Sequence, residues 1–121
     1  MRTRMDGTTR DALSILGLAR RAGRVSGGTE AVRQTIRDGR AKLVVMATDA
    51  SETQLDKIRS TIHNRTIPQV HLGDRNMLGA AIGSPPLAAV AVTDASFAAR
   101  LLEELEHDEP GGVPDESEAR R

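Results

Sequence analysis

Two adjacent glycines, Gly27 and Gly28, stand just before a glutamate and an arginine that are three residues apart, Glu30 and Arg33. If a helix begins here, its first turn presents unpaired backbone N–H groups and a partial positive charge, which suit a phosphate or another hydrogen-bond acceptor. The glycines would let a large ligand approach the backbone. Glu30 could accept hydrogen bonds from the N–H groups of a base edge, and Arg33 could bind phosphate or the acceptor edge of guanine.

The same residues are also compatible with an ordinary helix start. Ser26 or Gly28 would then be the cap, and Glu30 with Arg33 would form an exposed ion pair that contributes about a few tenths of a kcal/mol. The stretch is not a P-loop, because it lacks the Lys-Ser/Thr ending and a long buried strand before it. It is not a dinucleotide-binding fingerprint either.

An enzymatic function would have to use acids, hydroxyls and histidines that follow strands and could line a cleft. These are Asp49, Ser51, His63, His71, Thr93 and Asp94. The two TDAS segments, residues 48–51 and 93–96, are better explained as helix caps, since a helical apolar pattern follows each. No histidine has an acid at metal-ligand spacing, no nucleophile elbow is present and the chain has no cysteine. We therefore expect no catalysis, no metal site and no cofactor.

The net charge of zero conceals a gradient along the chain. Residues 1–47 contain ten Lys and Arg against four Asp and Glu, residues 48–102 contain five against five, and residues 103–121 contain two against eight. A basic front and an acidic tail suggest a polyanion partner for the folded part, although random charge drift on a solvated face would look the same. The single aromatic residue, Phe97, argues against sheet-based readers of single-stranded RNA, which stack bases on aromatic rings.

Alternating helices and strands must position these residues. Apolar residues at helical spacing predict five helices, of which the first covers residues 8–22 and the second ends at Gly39. Ser51 with Gln54 predicts a capping box for the third helix, and Asp74 and Asp94 predict caps for the fourth and fifth. Apolar runs predict strands at 42–47, 67–72 and 87–92, with a short strand or extended entry at 24–25.

This order of elements predicts an α/β fold, a three-layer α/β/α sandwich with a small, mostly parallel or mixed four-stranded sheet. The strand, helix, strand order between residues 42 and 72 predicts a right-handed crossover and a parallel pair. We expect one domain over residues 8–106, a flexible N-terminus over 1–7 and a disordered acidic tail over 107–121. No apolar run approaches the roughly 20 residues needed to cross a membrane. A cytoplasmic monomer without membrane contact is expected.

The whole pattern resembles the bacterial YlxQ-like proteins of the large-subunit ribosomal "seven-Ae/thirty-e" superfamily, whose members bind kink-turn RNA. The residues that carry the resemblance are "LGLARRAGRVSGGTEAVRQTIRDGRAKLVVMATDAS", followed by "IP", "LGAAIG" and "VAVTD". They cover about residues 10 to 105 in unbroken order. Each motif is weak by itself, whereas their order and spacing are fairly specific.

The resemblance implies RNA-binding roles for the start of the second helix. In that family a Gly-x-Asn-Glu-x-x-Lys signature reads the sheared G·A pairs of a kink-turn, and Gly27, Thr29, Glu30 and Arg33 are at the matching positions, with Gly28 between them. Thr29 replaces the family's asparagine and offers a hydroxyl in place of an amide that donates and accepts at once. Arg33 replaces the family's lysine, keeps the charge and can bind in a bidentate manner.

The resemblance also implies a role for the loop after the fourth helix, which in the family packs against the nucleotides extruded at the kink. The matching residues are Ile82, Gly83, Ser84 and Pro85, although an ordinary helix-to-strand connection would explain the loop equally well. Arg20, Arg21 and Arg24 would bind phosphates, which positions the RNA without reading its sequence.

Taken together, the resemblance implies a non-catalytic, ribosome-associated RNA-binding protein that recognises kink-turn-like bent RNA, ribosomal or messenger, through the start of its second helix. The alternative is a protein-protein interaction module on the same fold without RNA affinity. In that case the acidic tail could act as a partner or an autoinhibitor of the basic face.

Overall fold

A computed structural model describes residues 7–107 of the chain, in which five helices alternate with four strands. The helices are α1 (Gly7–Arg21), α2 (Thr29–Arg37), α3 (Glu52–Ile62), α4 (Arg75–Ala81) and α5 (Ala95–His107). The strands are β1 (Val25–Gly27), β2 (Leu43–Met46), β3 (Gln69–His71) and β4 (Ala89–Val92). The predicted flexible N-terminus (1–7) and the predicted disordered tail (107–121) each overlap a helix by one residue, because Gly7 belongs to α1 and His107 to α5. The remainder of those two segments lies outside the described residues.

The four strands form one mixed sheet in the order β1-β4-β2-β3. The β2–β3 pair is parallel, as predicted, with Val45 opposite Val70. The central strand β4 is antiparallel to both of its neighbours, and Val92 lies opposite Val25 of β1 on one side and Leu43 of β2 on the other. The predicted four-stranded sheet is therefore confirmed in its mixed form, with a single parallel pair.

Each face of the sheet carries its own apolar core, because successive side chains of a strand point to opposite faces. Leu43, Val45, Val90 and Val92 pack with α1, α4 and α5 on one face. Val44, Met46, Ala89 and Ala91 pack with α2 and α3 on the other face. Every residue of β2 and β4 is buried, as expected for a sheet that is covered on both sides. The arrangement confirms the predicted three-layer α/β/α sandwich.

Side-chain caps start three of the helices as the sequence predicted. At α3 the Ser51 hydroxyl accepts from the Gln54 N–H at 3.2 Å, within a full capping box. Asp74 accepts from the Met77 N–H at 2.9 Å at α4, and Asp94 accepts from the Phe97 N–H at 3.0 Å at α5. Each cap satisfies an N–H group that has no partner within its own helix.

All three strands predicted from apolar runs are shorter than those runs, and the late starts of β3 and β4, whose runs extend over 67–72 and 87–92, have clear causes. The Pro68 carbonyl accepts from the Val44 N–H at 3.0 Å, but Pro68 has no N–H to donate to the sheet. The strand β3 therefore begins only at Gln69. The Leu87 N–H donates to the Arg75 carbonyl of α4 at 3.1 Å, away from the sheet. The residues between α4 and β4, 82–88, are thereby held against α4, and we call them the α4–β4 connection.

This connection passes unusually close to α4 at Gly79. The Ser84 N–H donates to the Gly79 carbonyl at 2.8 Å. A Cβ atom at Gly79 would lie only 2.7 Å from the Ser84 carbonyl oxygen, and the backbone of Pro85 is also in its way. These are backbone atoms that cannot rotate aside, so the path of the connection requires glycine here.

We expect Gly79→Ala to destabilise the protein by about 1–3 kcal/mol, because the added methyl group displaces the connection from α4. Thermal unfolding would show this as a fall in Tm of several degrees. Gly7→Ala is the matched control, because Gly7 also lies in a helix but has no atom within 4 Å of an added Cβ. Equal Tm values for the two variants would contradict the steric argument.

Candidate nucleic-acid interface

The first turn of α2 is open to hydrogen-bonding partners. Gly28 is the residue before the helix; its φ is 103° and ψ is 150°, and it supplies no side-chain cap. Its own N–H donates to the Ala89 carbonyl of β4 at 2.9 Å, which fixes the helix start to the sheet. The N–H groups of Thr29, Glu30 and Ala31 have no acceptor within α2, because the first N–H groups of a helix precede its first turn. They form the kind of positive helix start that binds anions.

Gly27 lies on β1 under the α4–β4 connection. A Cβ atom at Gly27 would lie 2.7 Å from Cδ1 of Ile82 and 2.8 Å from Cδ1 of Leu87. The space that Gly27 leaves is thus filled by the protein's own side chains, whereas at Gly28 the nearest such atom is Cδ2 of Leu87 at 3.9 Å. Gly27 therefore brings the connection beside the start of α2, and Gly28 is the position where the backbone stays accessible and φ favours glycine.

Glu30 and Arg33 form a short chain of polar contacts that reaches α3. Arg33 Nη1 lies 3.2 Å from Oε2 of Glu30, and Arg33 Nε donates to the Thr61 hydroxyl at 2.9 Å. The Glu30 side chain is 70% exposed and that of Arg33 only 23%. The Thr61 hydroxyl is itself oriented, because it donates to the Lys57 carbonyl at 2.8 Å. Arg33 thus spans α2 and α3, while the Glu30 carboxylate remains available to a ligand.

The start of α2 is also held from within by a buried hydroxyl. The Thr35 hydroxyl lies 2.8 Å from the Ala31 carbonyl oxygen and 3.0 Å from the Ser26 hydroxyl of β1. Thr35 is 1% exposed and is the one buried polar side chain among residues 7–107. This contact fixes the turn of α2 that carries Glu30 relative to β1.

The end of α1 approaches the α4–β4 connection at Gly83. The Arg20 guanidinium lies about 3.5 Å from the position that a Gly83 Cβ would take, and Gly83 has a φ of 68°. Ile82 is buried, whereas Gly83 and Pro85 are exposed and Ser84 is intermediate. Arg20 therefore places a positive charge directly beside the exposed part of the connection.

The remaining basic candidates, Arg21 and Arg24, are exposed next to this region. The Arg24 carbonyl accepts from the Thr93 N–H at 2.8 Å, so its backbone is fixed between α1 and α5. The structure thus brings most of the predicted residues to one surface, which consists of the start of α2, the exposed part of the connection and the end of α1. We call this surface the α2 face. Arg33 lies at its border because its guanidinium is turned to α3.

The candidates for catalysis have structural roles or lie apart. Asp49 Oδ1 accepts from the Arg75 N–H at 2.8 Å, which adds a second carboxylate at the start of α4, and Ser51 and Asp94 are caps. His63 and His71 are exposed. Within residues 7–107 no three metal-ligating side chains converge, and no helix is long and apolar enough to cross a membrane.

Two residues that shape the α2 face had not been predicted from the sequence. Thr61 and Leu87 act through contacts with Arg33 and Gly27, which are 28 and 60 residues away along the chain. Neither has a local sequence signal, because a mid-helix threonine and a leucine before a strand are common.

Comparison with known proteins identifies relatives along most of the chain. It is 38% identical to the RNA-binding protein YlxQ of Bacillus subtilis over 92 residues, which is 76% of this chain and 92% of that one. It is 31% identical to the RNA-binding protein YlxQ of Enterococcus faecium over 101 residues, covering 84% of this chain and 97% of that one.

Solved structures with the same fold include a protein of unknown function from Bacillus halodurans. The TM-score is 0.73 at 34% identity, with 78% of this chain and 96% of that one covered. The Giardia lamblia 15.5kD RNA binding protein superposes with a TM-score of 0.68 at 16% identity, over 91% of this chain and 94% of that one, which shows likeness of fold alone. A family model matches residues 10–102, and the chain belongs to the ribosomal protein L7Ae/L30e/S12e/Gadd45 family.

Proposed function

We propose that this protein is a non-catalytic, ribosome-associated RNA-binding protein that recognises kink-turn-like bent RNA with its α2 face. Two relatives at 38% and 31% identity are named RNA-binding proteins, which supports RNA as the partner. The observation that carries the proposal is the position of Gly27 against Ile82 and Leu87, because it joins the start of α2 and the α4–β4 connection into one surface.

Some residues of this surface contact the RNA bases, and others bind the sugar-phosphate backbone of the RNA. The Glu30 carboxylate accepts hydrogen bonds from guanine N–H groups, and the Thr29 hydroxyl and the accessible backbone at Gly28 add further contacts. The exposed connection, with Ser84 and Pro85, supports unstacked nucleotides. Arg20, Arg21 and Arg24 bind phosphates beside it.

Arg33 contributes by holding Glu30 in place. A free glutamate at an exposed helix start samples several rotamers, and ordering it on binding costs free energy. Arg33, fixed to Thr61 by its Nε and to Glu30 by its Nη1, restricts the carboxylate before RNA arrives. Thr61 is therefore a positioning residue of the proposed site, although it lies on α3.

We expect Glu30→Ala to weaken binding to a kink-turn RNA by about 1–3 kcal/mol and to reduce the preference over the same RNA with Watson–Crick pairs in place of its G·A pairs. Titration of labelled RNAs measures both quantities. Glu52→Ala is the matched control, since Glu52 is an exposed acid in the first turn of α3 with the same charge. An unchanged preference in Glu30→Ala would refute base reading by Glu30.

We expect Thr61→Val to lower the preference for the kink-turn RNA severalfold, because Arg33 Nε loses its acceptor and no longer restrains Glu30. Thr61→Ser keeps the hydroxyl and should restore the preference. Ser60→Ala is the control, because Ser60 also donates to the Lys57 carbonyl but does not contact Arg33. Equal preference in the valine and serine variants would show that Thr61 does not position the site.

We expect the three arginines near the end of α1 to determine how RNA affinity depends on salt, and not to determine the preference between the two RNAs. Each of Arg20→Ala, Arg21→Ala and Arg24→Ala should weaken binding to both RNAs alike and reduce the slope of log affinity against log salt by about one. Arg37→Ala, an exposed arginine at the end of α2, serves as the control. A flat salt response of the unmodified protein would argue for a protein partner of the α2 face.

A further inference from the structure

A groove of about 860 Å³ separates α1 from α4 and borders the α2 face at Arg20 and Gly83. Its floor is apolar and includes Leu13 and Leu18 of α1 and Met77 of α4. Leu18 is 43% exposed and is the one exposed large hydrophobic side chain among residues 7–107. The groove therefore offers apolar area that the described part of the chain does not cover.

The groove is also positively charged. Arg10 lines one end of it, and Arg20 and Arg21 line the other. No aspartate or glutamate of the described residues contributes to its lining. From Arg10 to Arg20 the α1 helix rises by about 15 Å, since each residue of a helix adds about 1.5 Å. An acidic segment with an apolar centre would complement both the charge and the floor.

The end of α5 lies near the first turns of α1, so the chain that follows α5 starts close to Arg10. The Thr93 N–H, just before α5, donates to the Arg24 carbonyl just after α1. Since α5 packs along α1, it must run back beside that helix and end near its first turns, where Arg10 is situated. The chain after His107 therefore leaves the fold near the Arg10 end of the groove.

The sequence after His107 has charges in a matching arrangement. Asp108 and Glu109 come first, residues 110–114 follow as PGGVP, and Asp115, Glu116 and Glu118 come last. An extended chain covers at most about 3.3–3.6 Å per residue, so six residues from Glu109 to Asp115 can span about 20 Å. This exceeds the rise from Arg10 to Arg20 by about 5 Å. The two steps from His107 to Glu109 add about 7 Å, and together these lengths let the chain pass across α1, which is about 10 Å wide, while the long Arg10 side chain reaches toward Asp108 and Glu109.

We propose that residues 108–118, which we call the acidic segment, dock in the α1–α4 groove of the same molecule. Asp108 and Glu109 pair with Arg10, Val113 covers the exposed face of Leu18, and the last three acids pair with Arg20 and Arg21. Individual exposed ion pairs contribute little, but several of them act together on a segment that is already tethered beside the groove.

Docking has a consequence for RNA, and this consequence rests on the proposed function. Arg20 and Arg21 would be shared between the acidic segment and RNA phosphates. RNA must then displace the acidic segment, and the apparent affinity is reduced by the fraction of molecules in which the groove is free. An RNA that binds without contacting Arg20 and Arg21 would not compete with the acidic segment.

The docking itself is tested without RNA. The chain has no cysteine, so Ser117→Cys in the full-length protein accepts a single nitroxide label. At low salt we expect the label to broaden the amide resonances of Leu18, Arg21 and Ala80 and to leave those of α3 sharp. The broadening should disappear in about 1 M salt, where exposed charges are screened, and in Leu18→Ser. Broadening that is absent at low salt, or equal for α3, would overturn the proposal.

The effect on RNA is tested by removing a charge outside the α2 face. Arg10→Gln should raise the affinity for kink-turn RNA about threefold to tenfold at low salt, although the protein loses a positive charge, because the acidic segment is released. The full-length variant with all five acids changed to amides should show a similar gain, and Arg37→Gln should show none. An unchanged or lower affinity in Arg10→Gln, with docking established by the nitroxide label, would overturn the competition but not the docking. No RNA binding by any variant would refute the proposed function alone.

Discussion

The contact of Gly27 with Ile82 and Leu87 is the constraint on which the α2 face depends. A larger residue at position 27 would displace the side chains of Ile82 and Leu87, because an added Cβ would lie within 2.8 Å of a terminal methyl carbon of each. The contact is made possible by a second close approach, in which Ser84 and Pro85 pass directly over Gly79 of α4. Two glycines more than fifty residues apart therefore fix one short segment from both sides. The geometry of the surface depends on these close approaches at glycines as well as on polar side-chain contacts.

Much of the fold followed from local sequence patterns. The buried strands appeared as runs such as LVVM and AVAV, and the starts of α3, α4 and α5 were marked by Ser51, Asp74 and Asp94. These features are local, because a cap needs only the N–H groups of the next turn and a buried strand needs only consecutive apolar residues. The strand ends were less accurate, since Pro68 has no N–H and pairs with β2 through its carbonyl alone, and the Leu87 N–H donates to α4 instead of the sheet.

The site was less predictable than the fold. The sequence singled out Gly27, Gly28, Glu30 and Arg33 as a group, and the structure does place them at the start of α2. The sequence could not show that the side chains of Ile82 and Leu87 occupy the space beside Gly27, or that Arg33 donates to Thr61. Those contacts join residues that are far apart along the chain. A motif specifies which side chains are available, whereas tertiary contacts determine which of them are free to meet a ligand.

The position of β4 in the sheet has a consequence for the order of events during synthesis. β1 pairs with β4 and lies at the edge of the sheet, so residues 25–27 have no strand partner until residues 89–92 have left the ribosome. The N–H of Gly28 likewise has no Ala89 carbonyl to donate to until that residue has been synthesised. A nascent chain that stops before residue 89 cannot fix the start of α2 to the sheet. Assembly of the α2 face is thereby coupled to translation beyond residue 92, and a chain truncated before β4 would lack this surface.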